Sequence, residues 1–566
     1  MTKRIAVILL SLAVIASALS GCGGSIRSDS GAGSLSHDEA KKEMKSLMTK
    51  VSVKTNKNPV MDIYSEETSE ADALADISTF PVTVQGNGSI NIEIATATEF
   101  STDPSDGSQG TATDDWLNIA ARKFNSSGAE IDGKSVSVTV RKMASGEVVT
   151  YITNGGYRPD VYIPSNNAWG EMLDASGFTT KTVTDRLAGN TAGILIKKEV
   201  HDKFISQYGE VTVENILKAA TNGDITFAYT NPYTSSTGLN VLCAMLSSFD
   251  KDDPLSDKAT AALLEYQKTS PPVAYTTGVL RNQAAKDIIN AMVMERQAYI
   301  NTPELKNYVY TPVGIRHDHP VYTFDWTDAE KEKAAEMFTN FCLSEEMQKL
   351  ASEKGFNMDD EYMGENTGMT GADYLAAQKV WKRNKNGGKP IIAIFVADVS
   401  GSMDGTPLNS LKQSLIASSK YISSDHYVGL ISYSSNVTVN LPIAQFDATQ
   451  RAYFTGEVKN LRAGGGTATY DAVLAGMQEL ENYAEQIPDA KLLLFVLTDG
   501  KQRDGYSLSK IKNVVNGLDI PVYSIAYNYS STSELEDLSA INEAALIKAN
   551  SDNVVNELRN LFNVSL

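Results

Sequence analysis

Seven apolar residues, Ile391 to Ala397, run without a polar break and end on Asp398-Val-Ser400-Gly-Ser402-Met403. Alternation marks a strand with one wet face, whereas an unbroken apolar run marks a strand covered on both faces, as in a parallel sheet wrapped by helices. A second such run, Leu492 to Leu497, ends on Thr498-Asp499-Gly500. Carboxyl ends of parallel strands are where α/β folds place ligands. Asp398, Ser400 and Ser402 offer only oxygens, with no Cys or His nearby. That donor set suits a hard divalent cation, Mg²⁺ first, with Ca²⁺ or Mn²⁺ as alternatives. Three ligands are too few for an octahedral ion, so more must come from elsewhere. Asp499 is one candidate. Thr467 is another, at the end of the glycine-rich loop Arg462-Ala-Gly464-Gly465-Gly466-Thr467, where it is expected to cap the next helix.

These residues resemble the von Willebrand factor A (VWA) family, whose metal-ion-dependent adhesion site combines a D-x-S-x-S loop, a distant Thr and an Asp after a later strand. Asp398, Ser400, Ser402, Thr467 and Asp499 match the five positions in order. The resemblance implies that the hydroxyls touch the ion while the two carboxylates act largely through water. It further implies a doubly wound, mainly parallel sheet over residues 390–566, and a protein partner that supplies an acidic residue to the ion. Without the cation, Asp398 and Asp499 would repel such a partner unscreened.

A chain of 566 residues is too long for one core, so two or three domains are expected. The net charge of −19 argues against nucleic acid and against electrostatic docking on anionic lipid. Cys22, Cys243 and Cys342 allow at most one disulfide. The last two sit in apolar helical contexts and read as buried free thiols.

Residues 1–21 read as an export signal. Lys3 and Arg4 precede an apolar core, Ile5 to Leu19, that is short for a membrane span. The segment ends in Leu19-Ser20-Gly21-Cys22, which resembles a bacterial lipoprotein lipobox. That resemblance implies acylation of Cys22 and attachment to the extracytoplasmic face of the cell membrane. Residues 22–88 are expected to be a tether and spacer: a Gly/Ser-rich start, one short charged helix capped by Ser36, and a solvated acidic run, Ser65 to Asp72.

From residue 89 strands alternate with helices, the pattern of a largely parallel sheet. Strands are expected at Ile90–Ala95, near Ser135–Val140, at Pro159–Ile163, at Ala192–Lys197 as a connection between lobes, and at Ile225–Tyr229. Helices are expected near Asp114–Phe124, from Ser235 through Leu246, and at Lys258–Gln267, Gln283–Glu295 and Asp328–Lys354. The polar loop after Thr96, the loop Asn231-Pro-Tyr-Thr-Ser-Ser-Thr-Gly238, Tyr299-Ile-Asn-Thr-Pro-Glu304 and the closing amphipathic segment resemble the type II periplasmic solute-binding proteins. For 89–365 this implies two α/β lobes around a cleft that takes a small solute. Ser235, Ser236 and Thr237 would serve it from a helix start on one lobe, and Thr98, Ser101, Ser165 and Asn166 from the other. No Arg marks an oxyanion among these loops, so the solute's charge stays open. Residues 366–389 read as a basic linker containing a helix near Asp373–Trp381.

Neither the G-x-S-x-G nor the H-E-x-x-H motif of hydrolytic enzymes occurs. His317 and His319, two apart before Pro320, could share a metal on a strand but read as a surface turn. The chain is therefore expected to bind rather than catalyse. Its leading description is a lipid-anchored protein that recognises or adheres to a protein through the metal loop and senses or presents a solute. The alternative is the solute receptor of an ABC transporter with an accessory C-terminal domain.

Overall fold

A computed structural model describes residues 35–62, 77–101, 114–269, 271–274, 289–365, 367–419, 422–500, 502–527, 533–542 and 546–549, with a few single residues between them. The export signal, Cys22, the acidic run and residues 550–566 of the expected C-terminal domain lie outside the described residues. Among the described residues no helix is long and apolar enough to cross a membrane.

The strand Ile391–Asp398 is central in a seven-stranded sheet ordered 53–55, 437–445, 427–433, 391–398, 491–498, 522–527, 546–549. It runs parallel to 427–433 and to 491–498, and every one of its residues is buried. Ile391, Ala393, Phe395 and Ala397 face helices Thr406–Ser418 and Ala448–Asn460. Ile392, Ile394 and Val396 face helices Thr469–Ala484 and Leu508–Leu518. Two covered faces explain the unbroken apolar run. Strands 427–433 and 437–445 form a hairpin, the antiparallel part of this sheet.

The expected spacer is, in its described part, a working piece of this domain. Helix His37–Met48 starts at Ser36 with a reciprocal Ser36–Glu39 cap. It buries Ala40, Met44 and Leu47 in the core that contains Val514 and Leu518. Strand Val53–Thr55 then pairs parallel with Val437–Val439 at the sheet edge, and the Val60 N–H donates to Glu457 Oε1 at 2.6 Å. The spacing 40, 44, 47 is a helical stripe, but three apolar residues in a strongly charged helix are a faint signal. Since 35–62 and 391–549 build one sheet, everything between them is an insertion into that domain.

The insertion has two lobes. The first holds strands 82–84, 134–142, 90–96, 161–163, 321–324 and 180–184 in that order. The second holds 273–274, 227–230, 291–295, 191–197 and 308–316. The chain crosses between them at 185–190 and 317–320, and these crossings bond to each other, His317 N–H to Asn190 O at 3.0 Å and Leu187 N–H to Asp318 O at 3.1 Å. Strand 191–197 thus belongs to the second sheet rather than bridging the lobes.

Two further expectations are corrected, and a third, the helix within 366–389, is found and given its place. Ala291–Glu295 is a fully buried strand between 227–230 and 191–197, not the end of a helix. The amphipathic stretch 328–354 is two helices, Ala329–Cys342 capped by Asp328 and Glu345–Glu353 after Ser344. The linker 366–389 carries a helix, Gly371–Asn384, whose Tyr374, Ala377 and Trp381 are buried in the core of the two-lobed domain. Cys243 and Cys342 are buried free thiols, and burial pushes both up.

Candidate functional site

The first site is the carboxyl edge of the C-terminal sheet. Asp398 is the last residue of the central strand and is wholly buried. Its Oδ1 accepts the Ser400 N–H at 2.7 Å and its Oδ2 accepts the Thr498 hydroxyl at 2.6 Å. Ser400 Oγ lies 3.1 Å from Ser402 Oγ, and the Ser402 hydroxyl donates to Asp499 Oδ1 at 2.9 Å. Gly500 is open toward this group: a Cβ there would stand 3.4 Å from Ser402 Oγ, 3.9 Å from Asp398 Oδ2 and 3.9 Å from Thr467 Cγ2. The geometry therefore brings the two serines, both carboxylates and Thr467 around one small recess.

The loop that carries Thr467 is fastened by its backbone. Gly464 N–H donates to Val399 O at 2.8 Å and Gly401 N–H to Gly465 O at 3.1 Å. Gly465 has φ +88°, a conformation other residues rarely adopt. Thr467 O accepts from the N–H groups of Arg503 and Asp504 at 2.9 and 3.1 Å. Thr467 does not cap the following helix. Gln502 Oε1 takes that role, accepting the Thr469 N–H at 2.7 Å and the Tyr470 N–H at 3.4 Å, so the helix start does not draw on the Thr467 hydroxyl.

Burial raises the Asp398 carboxyl above its ordinary range. Thr498 and Ser400 partly offset this, while the nearby Asp499 adds to it. Burial also raises Asp499, with Ser402 opposing. One buried and one half-buried carboxylate with the two serine hydroxyls, beside the Thr467 side chain, form an oxygen-only group that fits a hard divalent cation. Among the described residues no group of three or more His, Cys, Asp or Glu could hold a metal; this recess has two carboxylates, and its remaining oxygens are hydroxyls. Thr498 was missed as a site residue although it stands in the Thr-Asp-Gly sequence. Gln502 had no signal, because its role depends on a loop folding back.

The second site lies between the lobes, where carboxyl edges of parallel strands again face each other. Strands 90–96, 134–142 and 161–163 are parallel, as are 227–230 and 291–295. The lobes meet directly. Gly146 N–H donates to Thr234 O at 3.1 Å, Ser236 Oγ donates to Ser145 Oγ at 3.2 Å, and the Trp169 indole donates to Ser236 Oγ at 2.8 Å.

Of the expected ligand residues, Ser236 and Ser165 join this contact, with Ser165 Oγ 3.3 Å from Ser145 Oγ. Asn166 is buried, and among the described residues neither its side-chain oxygen nor its nitrogen has a hydrogen-bond partner. Ser235 caps its own helix, and with Thr237 it bonds to Thr230 within one loop. Thr98 is exposed at the start of a short turn. Ser101 points into the first lobe, donating to Thr83 Oγ1 and Asn118 Oδ1, so it does not face the other lobe.

His317 and His319 are completely buried, contrary to the surface turn expected. They sit on a crossing segment and turn to opposite lobes. His319 stacks on Phe100 and lies 3.1 Å from Glu99 Oε1, while His317 lies 3.7 Å from Glu295 Oε1. Burial alone would raise the Glu99 carboxyl, but the His319 ring and the Ser165 hydroxyl outweigh it and hold Glu99 at about 2. Glu99, Ser145, Asn190 and Asn231 carry no sequence signal, because each gains its role only when the two lobes meet.

Residues 110–357 match the family model of bacterial extracellular solute-binding proteins, and residues 394–562 match that of the von Willebrand factor type A domain. Among curated proteins, inter-alpha-trypsin inhibitor heavy chain H4 of Bos taurus is 35% identical over 141 residues, 23% of this chain and 15% of that protein. An uncharacterized protein of Synechocystis, sll0103, is 25% identical over 160 residues, 28% of this chain and 37% of that protein. The chain thus spans only these minor parts of the relatives' lengths. Among solved structures, iron-bound HitA from Pseudomonas aeruginosa covers 53% of this chain and 99% of its own, at 14% identity and a TM-score of 0.37. A von Willebrand factor type A protein from Catenulispora acidiphila covers 31% and 42%, at 16% identity and a TM-score of 0.29.

Proposed function

The chain joins a bacterial extracellular solute-binding domain to a C-terminal von Willebrand factor type A domain, and from that premise we propose that it is a lipid-anchored recognition protein outside the cell membrane. In this reading the C-terminal domain grips a protein partner through a divalent cation, and the two-lobed domain senses or presents a small solute. The observation that carries it is the recess at Gly500, where a Cβ would stand within 4 Å of Ser402 and Asp398 from one segment and of Thr467 from another.

Ser400, Ser402 and Thr467 would hold the ion directly, with Asp398 and Asp499 acting through water. The bound ion supplies an electrophilic position for an outside carboxylate oxygen. The protein's own part is orientation. Thr498 and the Ser400 N–H fix both Asp398 oxygens, and the backbone bonds of the glycine loop set Thr467 opposite. Mg²⁺ is the leading ion, with Mn²⁺ or Ca²⁺ as alternatives. Cys22, which lies outside the described residues, would carry the anchor.

The test is calorimetric titration of Mg²⁺ and Mn²⁺ into the full chain, followed by capture of envelope proteins in Mg²⁺, in EDTA, and after Mg²⁺ is restored. One ion bound by the wild type and lost in Asp398→Ala, with capture that follows the metal, supports the reading. Capture indifferent to EDTA removes it. Incorporation of a labelled fatty acid, lost in Cys22→Ser, tests the anchor. The transporter reading rests on the two-lobed domain alone, and helix 371–384, packed on both lobes, stands against it.

A further inference from the structure

Helix Gly371–Asn384 leaves the two-lobed domain and, within a few residues, the chain enters the central strand of the C-terminal sheet. Thr370 and Asp373 cap its start. Its first turn lies against helix Ala168–Ala175 of the first lobe, where Gly371 approaches the Glu171 carbonyl too closely for any Cβ to fit. Its later turns lie against the second lobe. The Trp381 indole donates to Tyr229 Oη at 2.9 Å, and Gln378 Nε2 donates to Pro232 O at 2.9 Å. Gly387, just beyond the helix, is so near helix Asp257–Gln267 that a Cβ would stand 2.9 Å from Lys268 Cα.

The lobes are therefore held by the crossing segments, by the direct contacts of Gly146 and Ser236, and by this helix. A two-lobed domain opens by moving one lobe away from the other about its crossings. Here such a motion must pull the helix off one lobe, exposing Trp381 or the face that meets Glu171. The groups that opening would uncover include the Asn166 side chain and Asn231 Nδ2, which have no hydrogen-bond partner among the described residues. Buried amides of this kind call for a partner with oxygens or N–H groups of its own.

We propose that helix 371–384 is a latch that keeps the interlobe cleft shut, so that the domain retains its solute rather than cycling open as a shuttle. Solute exchange then waits on release of the latch. Because the latch runs on into the strand that ends at Asp398, the closed lobes also form a fixed base for the C-terminal domain.

Hydrogen exchange followed by mass spectrometry on the full chain tests this. The amides to follow lie in peptides 144–153 and 233–240: the Gly146 N–H makes the interlobe bond to Thr234 O, and the others belong to the two helix starts that meet there through the Ser145 and Ser236 hydroxyls. Both peptides are expected to be protected in the wild type. Gly371→Val, which wedges the latch from the first lobe, is expected to speed their exchange by about tenfold or more, with peptides 90–96 and 391–398 unchanged. Trp381→Phe removes the indole N–H bond to Tyr229 and some ring packing, leaves the contact with the first lobe in place, and should give a smaller rise in the same peptides; it decides the matter if Gly371→Val also loosens strand 90–96. Interlobe amides in the wild type that exchange as fast as exposed loops would overturn the latch. So would a variant in which peptide 371–384 loosens while 144–153 and 233–240 stay protected.

Discussion

The metal recess and the interlobe cleft are built alike, at the carboxyl ends of parallel strands, yet they use their oxygens differently. In the recess Ser400 and Ser402 bond to each other and to the two carboxylates, Ser400 through its N–H to Asp398 and Ser402 through its hydroxyl to Asp499, so a single sheet edge gathers hydroxyls and carboxylates. In the cleft the hydroxyls are already engaged, Ser235 and Thr237 within their loop and Ser236 with Trp169 and Ser145. What remains available there is amide, on Asn166 and Asn231. The same strand-end geometry thus gathers carboxylates and hydroxyls in one place, which suits the proposed hard ion, and leaves amides in the other, which suits the proposed hydrogen-bonding solute.

The sharpest break between the two regions is expected at Glu99. Its carboxyl is held at about 2 by His319 and Ser165, so the pair stabilises the two-lobed domain. Removing one partner of a buried pair costs about 3–5 kcal/mol, because the other is left alone. Glu99→Gln should lose roughly that amount at pH 7 in chemical denaturation, less whatever its amide recovers by bonding His319. Because the folded carboxyl titrates below its unfolded value, the gain is present above about pH 4.5 and fades as pH falls toward 2. Wild type and variant should therefore converge in acid. A constant gap across that range would show that the carboxylate's charge is not what stabilises the lobe.

The metal recess should respond in the opposite way. Bound ion at about a hundredfold over Kd adds about 2.7 kcal/mol to stability. Asp398→Ala should lose that gain, and without metal it should cost little, since it also removes a buried carboxylate repelled by Asp499. Melting curves with Mg²⁺ and with EDTA measure both quantities. A variant that still gains stability with Mg²⁺ would move the ion away from this recess.

Much of the recess was legible because its ligands belong to short motifs anchored by strands with unmistakable apolar runs. The cleft was less so. Ser101 turns inward, and Asn231 and Glu99 gain their meaning only when two sheets meet. The insertion was harder still. Nothing in Ser36–Leu47 says which distant helix its stripe will cover, and the pairing of Val53–Thr55 with Val437–Val439 spans nearly the whole chain. Met44→Ala puts a number on it. A residue in a solvated spacer would lose nothing, whereas a Met buried beside Val514 and Leu518 should cost about 2–4 kcal/mol, read as an earlier unfolding of the C-terminal sheet.

The smallest effect separates the two sites most cleanly. Asn166 is buried with an amide that no described group satisfies. Leaving a polar group in that state costs about 1–3 kcal/mol, and replacing it by an apolar side chain of similar size restores some of it. Asn166→Leu should therefore leave stability unchanged or raise it by about 1 kcal/mol, while solute binding by the two-lobed domain is lost. The Mg²⁺-dependent gain should be untouched. Were Asn166→Leu instead to destabilise the chain by several kcal/mol, the amide would be a structural element of the closed lobes, and the solute would have to be held by other groups.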